Sequence, residues 1–189
     1  MNQTEQLSVF ITGANGGMGL DTSKLLVKSG IKRLVMATRT TDKGTIAKGK
    51  IDTSYPHHQT QIEIASGFDM TDPTSIENAV HKLPNGQPFD IIFLQAGGVI
   101  FTKDYTYLTW NNTQIEKTIF QNVIGPYITL LQLKKHGLIA PNARVVFAGG
   151  EGARGIPGMI EKPVFDTIKD FKNYIYRKGE LTTYNPMNA

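Results

Sequence analysis

The sequence predicts a doubly wound α/β fold, a Rossmann-type parallel sheet with helices on both faces. Three observations predict it. Short runs of continuous Val, Ile, Leu and Phe read as strands buried on both faces. Helical patterns fall between successive runs, giving the order β-α-β-α-β-α-β-α-β with five strands present. A glycine-rich turn, Thr12 to Gly19, follows the first run directly.

The elements follow in order. Leu7 to Thr12 is the first strand, and Met18 to Ser29 the first helix, with Gly30 as its C-terminal stop. Arg33 to Thr38 is the second strand. Thr40 to Thr60 is polar and reads as a partly helical excursion; its adjacent His57 and His58 lack a carboxylate at ligand spacing, so a solvated loop is expected and no metal site. Gln61 to Gly67 is the third strand. Asp72-Pro73 places an N-cap and a first-turn proline at the start of a helix that the cluster Leu83-Pro84-Asn85-Gly86 closes. Phe89 to Gln95 is the fourth strand. A long helix is predicted from about Thr113 to His136, with Ile115, Ile119, Phe120, Val123, Leu130 and Leu131 as its core stripe. Ala143 to Ala148 is the fifth strand.

Composition narrows the function. The chain has 189 residues, 40% of them hydrophobic, and no Cys, which removes a disulfide scaffold, a thiolate zinc site, an iron–sulfur cluster and a Cys nucleophile. The polar start Met1 to Gln6 has no secretory pattern, and no apolar run approaches the roughly 20 residues of a membrane span, so a cytoplasmic protein without a membrane partner is expected. The net charge of +4 comes without a Lys/Arg run interleaved with aromatics, which suits an anionic small ligand and gives no sign of nucleic acid.

The strongest chemical signal is Thr12-Gly13-Ala14-Asn15-Gly16-Gly17-Met18-Gly19. Glycines at a strand-to-helix turn let the backbone approach a pyrophosphate, while the helix start presents unpaired N–H groups and a positive dipole end. The pattern resembles the Thr-Gly-x-x-x-Gly-x-Gly motif of the short-chain dehydrogenase/reductase family, nearest to its retinol-dehydrogenase-like and carbonyl-reductase-like members, over about Ser8 to Arg154. The resemblance implies dinucleotide binding by Gly13, Asn15, Gly16, Gly17, Met18 and Gly19. It also places Asp69 and Met70 against the adenine, and Ala96 and Gly97, in a segment similar to Asn-Asn-Ala-Gly, against adenosine and ribose. Leu94 and Gln95 stand in that segment where the family has two Asn.

Arg39 follows the second strand, where the adenosine ribose would lie. A carboxylate there selects a free 2′-hydroxyl, whereas a guanidinium pairs bidentately with a 2′-phosphate. Ala37-Thr38-Arg39-Thr40 holds no acid, so NADP(H) is expected over NAD.

Asn122 corresponds to the family's catalytic Asn. Pro126 has no N–H and crowds the carbonyl four residues earlier, that of Asn122, which frees this oxygen for a water. Two other family elements depart from pattern. Gly150 stands where the catalytic Ser is expected. The literal Tyr-x-x-x-Lys match, Tyr174 to Lys178, is followed at once by Gly179, so the side chains would sit too near a helix end to be locked. The ending Tyr184 to Ala189 resembles the stretch preceding the family's Tyr/Lys helix. The expected organisation is a dinucleotide-binding core over residues 1–149 and a substrate-side excursion over 150–189, leading to a catalytic helix that the chain lacks.

The resemblance implies an NADP(H)-dependent oxidoreductase that moves a hydride between nicotinamide and a carbonyl or alcohol substrate. The alternative is a non-catalytic dinucleotide-binding sensor or scaffold of the same family. A homo-oligomer is left open.

Overall fold

A computed structural model describes residues 3–98 and 106–149. Its centre is a five-stranded parallel sheet in the order β3-β2-β1-β4-β7, built from β1 (Ser8–Thr12), β2 (Arg33–Thr38), β3 (Gln61–Ser66), β4 (Phe89–Leu94) and β7 (Ile139–Phe147). The chain winds outward from β1 to β3 on one side, then returns to the centre and continues through β4 to β7. The crevice at the strands' C-terminal ends between β1 and β4 is therefore the switch point at which doubly wound sheets take ligands.

Both faces are apolar because alternate residues of the central strands point to opposite sides. Val9, Ile11, Leu34 and Met36 join Leu20 and Val27 of α1 (Gly17–Lys28) and Ala47 and Ile51 of α2 (Thr41–Ser54). Phe10, Val35 and Ala37 join Ile76 and Val80 of α3 (Pro73–His81) and Ile128 and Leu133 of α5 (Gly125–Lys135). Asp72 caps α3 by accepting from the N–H groups of Thr74 and Ser75, with Pro73 in the first turn, as its sequence predicts.

Three expectations are corrected. Thr113–Glu116 is a strand, β6, paired antiparallel with β5 (Tyr107–Trp110). Asn111 and Asn112, at φ of 48° and 59°, make the tight turn between them, a conformation Asn tolerates better than most residues. The helix starts only at α4 (Lys117–Ile119), where Glu116 accepts from the N–H groups of Thr118 and Ile119, and it passes through a π-helical turn, Phe120–Ile124, into α5. Of the expected stripe, Phe120 is buried and Ile115 and Leu130 pack against the core, but Val123, within the wide turn, and Leu131, beyond it, are 51% and 43% exposed, and Ile128 and Leu133 take the core side. The last strand begins at Ile139, ahead of the expected Ala143, since Pro141 is tolerated on a strand paired only on its β4 side among the described residues. His58 is also more than a loop residue: its Nε2 lies 3.0 Å from Asp52 Oδ1. The Lys48 ammonium, donating to the other oxygen, does most to hold the Asp52 carboxyl below the usual carboxylate range.

The N-terminal end of the sheet is closed by Arg33. Its guanidinium donates twice to Glu63 at 2.8 Å, once to the Gln87 carbonyl at 3.3 Å, and lies over the Phe89 ring. The Arg33 side chain is 6% exposed, so Glu63→Ala leaves a buried cation without its counter-charge. A loss of about 3 kcal/mol in urea unfolding is expected, the low end for a broken buried pair because Glu63 remains partly hydrated. A loss under about 1 kcal/mol would show that water replaces the carboxylate there.

Candidate functional site: a cleft at the sheet switch point

At the opposite end, β1 finishes at Thr12, which is fully buried. Thr12 Oγ1 accepts from the N–H groups of both Gln95 and Ala96 at 2.9 Å, which ties the loop after β4 to the end of β1. The next residue, Gly13, turns at φ +67° and donates its N–H to the Ala37 carbonyl at 3.1 Å. The exits of β1, β2 and β4 are thereby held together.

A cavity of about 410 Å³ opens above them, lined by Gly13, Asn15, Gly16, Gly17 and Met18, by Ala37, Thr38 and Arg39, by Phe68, Asp69 and Met70, and by Gln95, Ala96, Gly97 and Gln121. Of the expected site residues, the structure brings Gly13, Asn15, Gly16, Gly17, Met18, Arg39, Asp69, Met70, Ala96 and Gly97 to this one wall. Gly19 and Asn122 stand behind it. A Cβ on Gly19 would collide with the Gly13 carbonyl, so this glycine sets how closely α1 approaches the turn. Met70 is 4% exposed and its sulfur receives the Thr129 hydroxyl, so its side chain belongs mostly to the core. Asn122 grips Gly98 from both sides, accepting from its N–H at 2.8 Å and donating to its carbonyl at 3.1 Å. Gly150, Tyr174 and Lys178 lie outside the described residues.

The sequence reading missed Ala37, Thr38, Phe68, Gln95 and Gln121 as lining. The first four adjoin expected residues at strand ends and are legible by adjacency, whereas Gln121 is brought in only by the helix that carries Asn122.

Three features of the wall suit a dinucleotide. The start of α1, Gly16 to Met18, lines the cavity and has no side-chain cap, since its N-cap is Gly16, so no side chain competes for its first N–H groups. The glycine cradle has no room for side chains at Gly13 and Gly19. Arg39 is exposed at the rim; its main-chain carbonyl accepts from the Gly67 N–H at 3.2 Å, while its guanidinium has no hydrogen bond or ion pair among the described residues. Beside them, Gln95 Oε1 is buried without a hydrogen-bond partner among the described residues.

A sequence model for "short chain dehydrogenase" matches residues 8–160. The chain belongs to the short-chain dehydrogenase family. Among curated members it is similar to the short chain dehydrogenase sol3 of Alternaria solani, 36% identical over 68% of this chain and 42% of that protein. It is also similar to the short chain dehydrogenase atnD of Emericella nidulans, 26% identical over 86% of this chain and 52% of that one. The chain thus spans about half the length, or less, of these relatives. Among solved structures, the MalC reductase/Diels-Alderase of Malbranchea aurantiaca superposes with a TM-score of 0.61 at 16% identity, over 82% of this chain and 61% of that one. A Serratia marcescens short-chain dehydrogenase/reductase mutant gives 0.59 at 18%, over 82% and 60%. At these identities the structures establish the shared Rossmann-like fold. Among the described residues of this family member, no helix is long and apolar enough to cross a membrane.

Thr12→Val removes the acceptor of two buried N–H groups while keeping shape. It is expected to cost about 2–4 kcal/mol in chemical denaturation, whereas Thr12→Ser, which keeps the oxygen, should cost under about 1.5 kcal/mol, the loss of one methyl group. Equal losses for the two variants would mean that the methyl group, not the hydroxyl, holds the strand ends.

Proposed function

We propose that this short-chain dehydrogenase binds NADP(H) in the switch-point cleft and acts in the cytoplasm as an oxidoreductase on a small carbonyl or alcohol substrate. The observation that carries the reading is the uncapped start of α1 sharing one cavity with the Arg39 guanidinium, which has no partner among the described residues; both are elements suited to an anion. Gly13, Asn15, Gly16, Gly17 and Met18 would hold the pyrophosphate, Arg39 the 2′-phosphate, and Asp69, Met70, Ala96 and Gly97 the adenosine. The nicotinamide, when bound, supplies a two-electron exchange with the substrate carbon.

Asn122 is the residue proposed to serve the proton side of the reaction. Its side chain fixes the main chain of Gly98, and Pro126 offers its carbonyl no N–H, which supports a water at that oxygen. The sequence features at Gly150, Tyr174 and Lys178 bear on turnover and are read from the sequence alone. Residues 1–149 are proposed as the cofactor-binding core and 150–189 as the substrate-side part. Gly150 in the serine's place favours the second reading, a binding member without turnover, and NADPH oxidation with a panel of carbonyl compounds separates the two.

The cofactor choice has its own test. Titration by NADPH fluorescence should give a dissociation constant at least about tenfold lower than NADH, and Arg39→Asp should reverse the order, because it replaces a bidentate phosphate partner with a like charge. Equal affinities in the unmodified protein overturn the NADP assignment, and absence of binding by either overturns the cleft as a dinucleotide site.

A further inference from the structure

Gln121 is the one polar lining residue that neither the glycine turn nor the strand ends account for. It sits on the π-helical turn immediately before Asn122, and its Nε2 makes a long, 3.4 Å contact with the Gly98 carbonyl that Asn122 already satisfies at 3.1 Å. Four residues on, Gly125 lies so close to the loop after β3 that a Cβ there would collide with the Met70 carbonyl. Gln121 shares the cavity wall with Asp69 and Met70, after β3, and with Gly97, after β4, and its amide reaches Gly98. A wall that only packed against a ring would need an apolar side chain. A glutamine amide carries two donors and an acceptor, and the long contact with Gly98 uses one donor at most.

Resting on the dinucleotide reading above, we propose that Gln121 reads the adenine base, its Oε1 accepting from the N6 amino group and its Nε2 donating to N7. This is the bidentate match between a planar amide and the edge of adenine that carries N6 and N7. Asp69 reaches the base differently, with only Oδ2 left to accept from the amino group. Its Oδ1 is committed to the Thr71 N–H at 2.9 Å and the Thr71 hydroxyl at 2.7 Å, and a carboxylate has no donor for N7. A hypoxanthine ring, with an oxygen in place of the N6 amino group, would set acceptor against acceptor at Oε1.

The test is a binding titration of the full 189-residue chain and its Gln121→Met variant with NADPH and with the hypoxanthine analogue of NADPH. Methionine keeps length and removes both hydrogen bonds. The expected result is about tenfold weaker binding of NADPH by the variant, with the analogue changed less than about twofold, so that the preference for adenine falls about tenfold. Equal weakening of both ligands overturns the proposal, since it would show Gln121 acting through Gly98. So would no change for either. Absence of binding of both dinucleotides by the unmodified chain overturns the cofactor reading as well, and is told apart from the other outcomes by the unmodified chain alone.

Discussion

The cleft depends on the hydroxyl of Thr12. Parallel strands diverge into separate loops at their C-terminal ends, and nothing in the sheet itself keeps those loops in register beyond the last paired residues. Thr12 Oγ1 accepts the first two N–H groups after β4, and Gly13 donates to the last residues of β2, so three exits share one anchor. The anchor is fully buried, where an unmet N–H is costly, and that cost is what fixes the geometry. The close approach of Gly19 to Gly13 and the placement of Gln95 beside Gly19 both follow from it.

With the backbone fixed, the groups left without partners define the chemistry. Every described α-helix that starts from a loop or strand, other than α1, is capped by a side chain: α2 by Thr40, α3 by Asp72 and α4 by Glu116. At α1 the position falls to Gly16, and the cap is absent. A Ser or Asp there would add only about a few tenths of a kcal/mol of stability and would cover with its own oxygen the N–H groups that Gly16 leaves open. The loop after β4 shows the opposite treatment. Both polar groups of Gly98 are met by Asn122, so its main chain is satisfied by the protein itself.

How much of this was legible in the sequence depends on whether the signal is local. The strands, the α3 cap and the glycine turn rest on neighbouring residues, and each was readable from its own segment. The π-helical turn was not: Pro126 marks a disturbance, yet the wide turn, with Val123 and Leu131 at the surface, is accommodated by packing against Met70 and Trp110, which a single helical period does not encode. The hairpin hid for the same reason, since Ile115 and Ile119 satisfy a helical spacing while Asn111-Asn112 alone announces the turn. At the site, residues on strand ends were legible and Gln121 was not, because its position depends on the same wide turn.

The two ends of the sheet divide the labour between stability and binding. At the N-terminal end, each strong polar group meets its complement: Arg33 with Glu63, Gln87 and Phe89, and the Ser8 N–H with Asp90 Oδ2 at 2.8 Å. At the C-terminal end, the Gly16 helix start lacks a side-chain cap, and the Arg39 guanidinium and Gln95 Oε1 have no partner among the described residues. The same fold could have satisfied both ends with side chains, as its own capped helices show. Leaving one end unsatisfied lowers the stability of the free chain by a few kcal/mol at most. It also gathers the uncapped helix start and the Arg39 guanidinium around one cavity, an arrangement whose charge is complementary to an anionic ligand.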